Sequence, residues 1–268
     1  MATNVLELRW HDQRLPPHTQ QDDICIRDRI DIFPAARALE HEVRSHGLRV
    51  MAWHDLATLQ EMVDGDDQPI NSNVFGWSEQ DLAPWRNLDK ALRSPLLRAA
   101  RGAGGPFLID QHSIRSGVKD RFLEQINLDD FDEHSAAAAA IVIPVHLPFG
   151  QIGAGLLTST DRTNRSLAAE FASIAAALAP PVTRFVTGFI AVSRDERYFP
   201  HDTILSSREV ECLSWVAHGK TDYEISIILG CSHAGVRYHL TRACAKLGAM
   251  NRTQSVFRAC QLGYIGLR

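Results

Sequence analysis

Between Leu205 and Leu247 three helix starts follow one another closely, and this punctuation restricts the fold more than any other feature of the chain. Ser206-x-x-Glu209 and Thr221-x-x-Glu224 are capping boxes, in which each hydroxyl accepts the N3 amide and each glutamate reaches back to the cap amide. Ser232 supplies a third N-cap. The spacing predicts a helix from about Ser207 to His218 stopped at Gly219 and a short helix from about Asp222 to Leu229. After them come the turn Gly230-Cys231-Ser232 and a third helix from about His233 to Leu247. Two short helices joined by a glycine-containing turn make a helix-turn-helix.

In the third helix Val236, Leu240, Ala243 and Leu247 share a face that can anchor it, while Arg237, Tyr238 and Thr241 point elsewhere. Arg237 can reach G O6/N7 with both guanidinium arms, and Thr241 can meet a base edge or a methyl. Lys220 and Thr221 combine a cation, a hydroxyl and free amides at a helix start, which suits a phosphate. His233, Tyr238, His239, Arg242 and Lys246 are further candidate DNA contacts. Charge alone does not decide between this and a small bundle with solvated arginines. Residues 201–268 hold 8 Lys+Arg against 5 Asp+Glu, or +3; the first 200 hold 20 against 27, or −7, for a total of −4.

The segment Leu205 to Ile265 resembles the DNA-binding domain of the LuxR family (LuxR/GerE type). The residues that carry the likeness are Leu205, Arg208-Glu209, Leu213, Gly219-Lys220-Thr221, Glu224-Ile225, Leu229-Gly230, Ser232, Val236, His239-Leu240, Lys246-Leu247-Gly248, Asn251-Arg252-Thr253-Gln254 and Leu262-Gly263-Tyr264-Ile265. Gly235 departs from the pattern, standing where the family has Thr or Ser, so one hydroxyl contact to DNA is missing. The resemblance implies a four-helix module. In it Arg237 and Thr241 read bases, Lys220 and Thr221 hold phosphates, and the fourth helix, about Thr253 to Leu262, is a site of dimerisation. It further implies a palindromic double-stranded operator, a homodimer and RNA polymerase as partners.

The preceding residues read as α+β. Ile30, Phe33, Ala36, Leu39 and Val43 recur at helical spacing, and Leu48 to Trp53 reads as a strand. Helical pieces interrupted at Ser94-Pro95 follow Pro84-Trp85, the loop Gly102 to Pro106 precedes a strand at Phe107-Leu108-Ile109, and Lys119 to Ala140 suggests a helix ending in an alanine run. Ala140–Leu147 and Gln151–Thr158 read as a hairpin. Ser166 to Leu178 reads as a helix broken at Pro180-Pro181, after which Val182 to Val192 either continues it or forms a second helix. The longest apolar run, Ala136 to Val145, is shorter than the ~18 residues of a span, which argues against a transmembrane protein. The first residues show no secretory signal, so a cytoplasmic location is expected. The 5 cysteines have no CxxC pairing, and Cys212, Cys231, Cys244 and Cys260 are expected in small buried sites.

The acidic clusters Asp66-Asp67 and Asp129-Asp130 with Asp132-Glu133, and the pair His41/His46, lie in polar stretches without a partner motif. GxGxxG, P-loop, GxSxG and HExxH patterns are missing, so neither an enzyme nor a cofactor is expected. A phosphoacceptor receiver fits poorly: Asp22-Asp23 precedes its strand and the region is too long. Total length, element order, Ser94-Pro95 and Gly105-Pro106-Phe107 resemble instead the autoinducer-binding domain of LuxR-type quorum-sensing regulators, an αβα sandwich. By that resemblance the ligand-binding positions are Trp53, Asp81, Trp85, Ser94, Phe107 and Ala140. The family's ligand-holding Asp becomes Ser94, its Tyr becomes Trp85, its Trp becomes Asp81 and its Gly becomes Ala140. Loss of a carboxylate that accepts the ligand amide removes a bond worth about 1.5–3 kcal/mol, which points to a "solo" regulator with a non-lactone or atypical ligand, or with no ligand. The expected organisation is a sensor over 1–192, a linker over 193–204 and an all-α helix-turn-helix domain over 205–268. A sensor that binds a protein partner in place of a ligand is the alternative.

Overall fold

The structure is a computed structural model that describes residues 23–131, 137–161, 164, 166–169, 171–193 and 203–266. Helix α1 (Ile32–Ser45) leads through Gly47 into β1 (Leu48–Trp53), and four short helices follow: α2 (Ile70–Asn73), α3 (Glu79–Arg86), α4 (Leu88–Arg93) and α5 (Pro95–Gly102). Next come β2 (Phe107–Asp110), β3 (Ile114–Ser116), α6 (Arg121–Glu124), the hairpin β4 (Ala139–His146) and β5 (Ile152–Ser159), and the long helix α7 (Phe171–Ser193). The C-terminal unit is α8 (Ser207–Ala217), α9 (Asp222–Ile228), α10 (His233–Lys246) and α11 (Arg252–Gln261). The N-terminal unit is thus a sheet flanked by helices, and the C-terminal unit is all helical. Each has its own buried cluster, and they touch where Gln261 Nε2 donates to the Phe149 carbonyl at 3.1 Å. Of the expected linker, 194–202 lie outside the described residues, as do 1–22 and Asp132-Glu133.

The five strands are antiparallel in the order β1-β5-β4-β2-β3. Pairing fixes the faces, because residues directly opposite point the same way. Met51 opposes Leu156, Leu156 opposes Val142 and Val142 opposes Phe107, so these share one face with Trp53, Thr158 and Ala140. On the other face β5 carries glycines so that α7 can approach. A Cβ on Gly155 would lie 2.4 Å from Val182 Cγ1, and one on Gly153 would lie 2.7 Å from the Trp53 carbonyl oxygen. Gly155→Ala is therefore expected to destabilise the N-terminal unit by about 1 kcal/mol or more through overpacking. An unchanged denaturant midpoint would contradict the close approach.

Tertiary packing overrides several local expectations. Helix α7 runs unbroken through Pro180 and Pro181, and the segment 166–169 before it is not helical. Each proline removes one backbone donor, yet Ile174, Leu178, Val182, Phe185 and Phe189 stay buried along the helix, and that burial outweighs two lost hydrogen bonds. This helix is long and apolar enough to cross a membrane by length and composition, which a count of uninterrupted apolar residues does not reveal; half of its most apolar window is buried inside the protein, as in a core helix. Within the alanine run Ala139 and Ala140 pair with Asp110 and Ile109 in the sheet, so the run ends in a strand; upstream Arg121–Glu124 is helical, and 132–136 lie outside the described residues. In α1 the buried set is Ile32, Ala35, Ala36, Leu39 and Val43, whereas Ile30 and Phe33 are exposed. Of the cysteines only Cys212 is buried, and burial pushes its thiol up to about 11; Cys231 and Cys260 are exposed.

Candidate functional site

The C-terminal caps form as their spacing requires. Ser206 Oγ accepts the Glu209 amide at 3.4 Å while the Ser206 amide donates to Glu209 Oε2 at 2.8 Å. Thr221 Oγ1 accepts the Glu224 amide at 3.3 Å, and Ser232 Oγ accepts the Gly235 amide at 3.0 Å. Gly219 and Gly230 stop α8 and α9 in the left-handed region, at φ +77 and +60, where a side chain would be strained. Ile225, Val236, Leu240, Ala243 and Leu247 are buried with Leu213, which holds α10 against α8 and α9.

That anchorage leaves the opposite side of α10 in solvent. His233, Arg237, Tyr238, Thr241 and Arg242 are all exposed. The side chains of Arg237 and Thr241, one turn apart, have no hydrogen bond or ion pair among the described residues, so their donors are available to an external acceptor. Arg242 is held differently: its Nη1 donates to Tyr238 Oη at 3.0 Å and its guanidinium lies 5.7 Å from that ring centre. Lys220 Nζ is 3.4 Å from Glu224 Oε1, and the Thr221 hydroxyl caps α9.

Lys246 lies elsewhere in the electrostatics. Its Nζ is 2.7 Å from Oε2 of Glu209, a carboxylate 2 % exposed, and Arg242 Nε is 3.7 Å from the other oxygen. Burial pushes the Glu209 carboxyl up, but the bonds from Lys246 and Ser206 outweigh it and hold the pKa below its ordinary 4.5. The capping motif reveals Glu209 only as a cap; its role as a buried anion has no local sequence signal, because Lys246 reaches it across the tertiary fold. Arg252 is a second such residue. Its guanidinium bonds Asp222 at 3.1 Å and the Lys220 carbonyl at 3.2 Å, fixing the start of α9 against α11.

In the N-terminal unit the helices α3 to α5 cover the sheet face that bears Trp53, Phe107 and Ala140. Trp85 stacks on Trp53 with ring centres 5.7 Å apart and planes at 18°. Ser94, between α4 and α5, is buried. Beneath them is an enclosed space of about 10 Å³ between Met51, Trp77, Trp85, Leu96, Ala140 and Leu156. Ala140 and Trp85 thus meet at one space, with Trp53 stacked behind. Asp81 does not line it; its carboxylate accepts the Ser78 hydroxyl at 2.8 Å in the cap of α3. Among the described residues no group of three or more His, Cys, Asp or Glu is placed to hold a metal.

Residues 203–259 match the family described as bacterial regulatory proteins, luxR family. The chain is 32% identical over 127 residues to the transcriptional activator protein VanR of Vibrio anguillarum, covering 47% of this chain and 52% of that one. It is 48% identical over 64 residues to the transcriptional activator protein LuxR of Aliivibrio fischeri, covering 24% and 26%. The first of these relatives is thus spanned over about half its length and the second over about a quarter. The crystal structure of Escherichia coli SdiA aligns with 87% of this chain and 92% of its own, at 18% identity and a TM-score of 0.42. The match of 203–259 falls on the three capped helices and their glycine stops, and the C-terminal unit of this chain is a helix-turn-helix domain of the luxR family of bacterial regulatory proteins.

Proposed function

We propose that the chain is a sequence-specific, DNA-binding transcriptional regulator whose N-terminal unit senses a small molecule other than a lactone. The observation that carries the DNA half is the pair Arg237 and Thr241, exposed side by side on an anchored helix with no internal partner. In this reading α10 lies in the major groove, Arg237 grips a guanine edge and Thr241 a neighbouring base. Lys220, Thr221 and His233 contact the backbone around helix N-termini, and the Tyr238–Arg242 pair lies along the same strand. Lys246 contributes mainly by holding Glu209. The exposed Phe257 on α11 supports a dimer formed through that helix, and RNA polymerase is the partner through which a bound dimer acts.

Selection of bound sequences from random duplexes tests this. A two-fold palindrome with half-sites about one helical turn apart is expected. Recovery of no common sequence, or of a single half-site protected by a monomer, would remove the reading.

The second reading, a sensor domain that works through a protein partner, is favoured by one observation. The enclosed space beside Trp85 and Ala140 is about 10 Å³, room for roughly one water. A ligand at this position therefore has to part Trp85 and Leu96 from the sheet.

A further inference from the structure

Tyr238 stands where α10 turns farthest from its own core. Each step along a helix rotates the chain by about 100°, so the buried Val236, Leu240, Ala243 and Leu247 form one stripe, and Tyr238 lies about 170° round from its centre. Arg237 lies about 90° round and Thr241 about 130°. The side chain aimed most directly away from the anchored face is thus an aromatic ring, 56% exposed. A single exposed ring is ordinary. This one is also held in place. Arg242, one turn on, donates from Nη1 to Tyr238 Oη at 3.0 Å, and its Nε lies 3.7 Å from Oε1 of the buried Glu209. His239 meets the ring edge to face, with centres 5.5 Å apart and planes at 70°. The buried carboxylate steadies the arginine, and the arginine steadies the phenol. With a guanidinium donating to its oxygen, the phenol is left to present its own proton outward.

The outcome is a flat apolar ring tipped by a donor, with a cation beside it. Among the four bases, only thymine shows the major groove a methyl next to a bare acceptor, O4. Cytosine and adenine put an amino donor at that place, which would face the phenol proton and the guanidinium, and guanine offers acceptors without a methyl. We propose that Tyr238 is a specificity-determining residue that selects a thymine in each half-site, its ring packed on the methyl and its hydroxyl donating to O4, with Arg242 as the positioning residue that orients it. This rests on the reading above in which α10 lies in the major groove.

The test uses the full chain and the operator recovered from random duplexes. Each thymine of one half-site is replaced in turn by deoxyuridine, which removes only the methyl, and by 5-methylcytosine paired with guanine, which keeps the methyl and exchanges O4 for an amino group. At one thymine the parent should lose affinity about three- to five-fold on deoxyuridine, and more on 5-methylcytosine. Tyr238→Ala should bind the thymine and deoxyuridine operators equally. Tyr238→Phe should keep the preference for the methyl and lose much of the preference for thymine over 5-methylcytosine. Arg242→Met should discriminate less between thymine and deoxyuridine, a readout that a lost phosphate contact or a general loss of stability would not move. A half-site without thymine, a parent indifferent to the methyl at every thymine, or undiminished discrimination in Tyr238→Ala overturns the proposal and leaves the DNA-binding reading standing. Undiminished discrimination in Arg242→Met overturns the positioning role. Recovery of no operator overturns both the proposal and the reading beneath it.

Discussion

Replacing Glu209 by alanine is expected to lower the stability of the C-terminal unit by about 3 kcal/mol, a large share of the ~5–15 kcal/mol that a domain possesses. The substitution removes the second half of a capping box and leaves the half-buried Lys246 ammonium without its anion. Lys246 is 30% exposed, and solvent screening there keeps the loss toward the low end of the range for a broken buried pair. The pH dependence follows from the same geometry. The folded carboxyl has a pKa below its ordinary 4.5, so its stabilising contribution is complete above that value and is lost as pH falls through the folded pKa. Chemical unfolding of the chain across acid pH should show this step in the parent and lack it in Glu209→Gln. A loss under about 1 kcal/mol in Glu209→Ala, or an identical acid step in both proteins, would falsify the assignment.

Arg237→Ala should cost about 1–3 kcal/mol on the selected operator, roughly a 5- to 150-fold loss of affinity, and should leave binding to random DNA nearly unchanged. Because the Arg237 side chain has no partner among the described residues, its removal breaks nothing inside the domain, so the thermal midpoint should not move. Lys220→Ala should behave in the opposite way, weakening operator and random DNA alike and reducing the salt slope by about one ion. Titrations of both variants on both DNAs at two salt concentrations separate these outcomes. Equal losses on operator and random DNA for Arg237→Ala would mean that it holds phosphate and reads no base.

The C-terminal unit was legible because its information is local. Capping boxes, glycine stops and the Val236–Leu240–Ala243 stripe lie within a few residues of the positions they specify. The N-terminal unit was legible only where a strand or helix carries its own period, as in β1, the β4–β5 hairpin and α1. It was misread where partners far along the chain decide. Ala139 and Ala140 favour helix by propensity but join a strand because Asp110 and Ile109 offer an edge. The two prolines would end an isolated helix, yet α7 continues because the sheet holds both halves. The expected ligand positions show the same division. Trp85 and Ala140 arrive at one space, while Asp81 is drawn into the cap of α3 by Ser78, a contact that an alignment through Ser94-Pro95 does not display.

The strand order has a consequence for how the two units come into being. Leu48 pairs with Ser159, so β1 has no neighbour until synthesis has passed β5, whereas each helix of the C-terminal unit closes against one only a short loop away. Contacts that distant form slowly, and a strand awaiting its partner offers an open edge to other chains. The N-terminal unit is therefore the aggregation-prone half on the ribosome. Substitutions that weaken it should appear first as lost soluble yield during expression, in chains whose C-terminal unit is still able to fold.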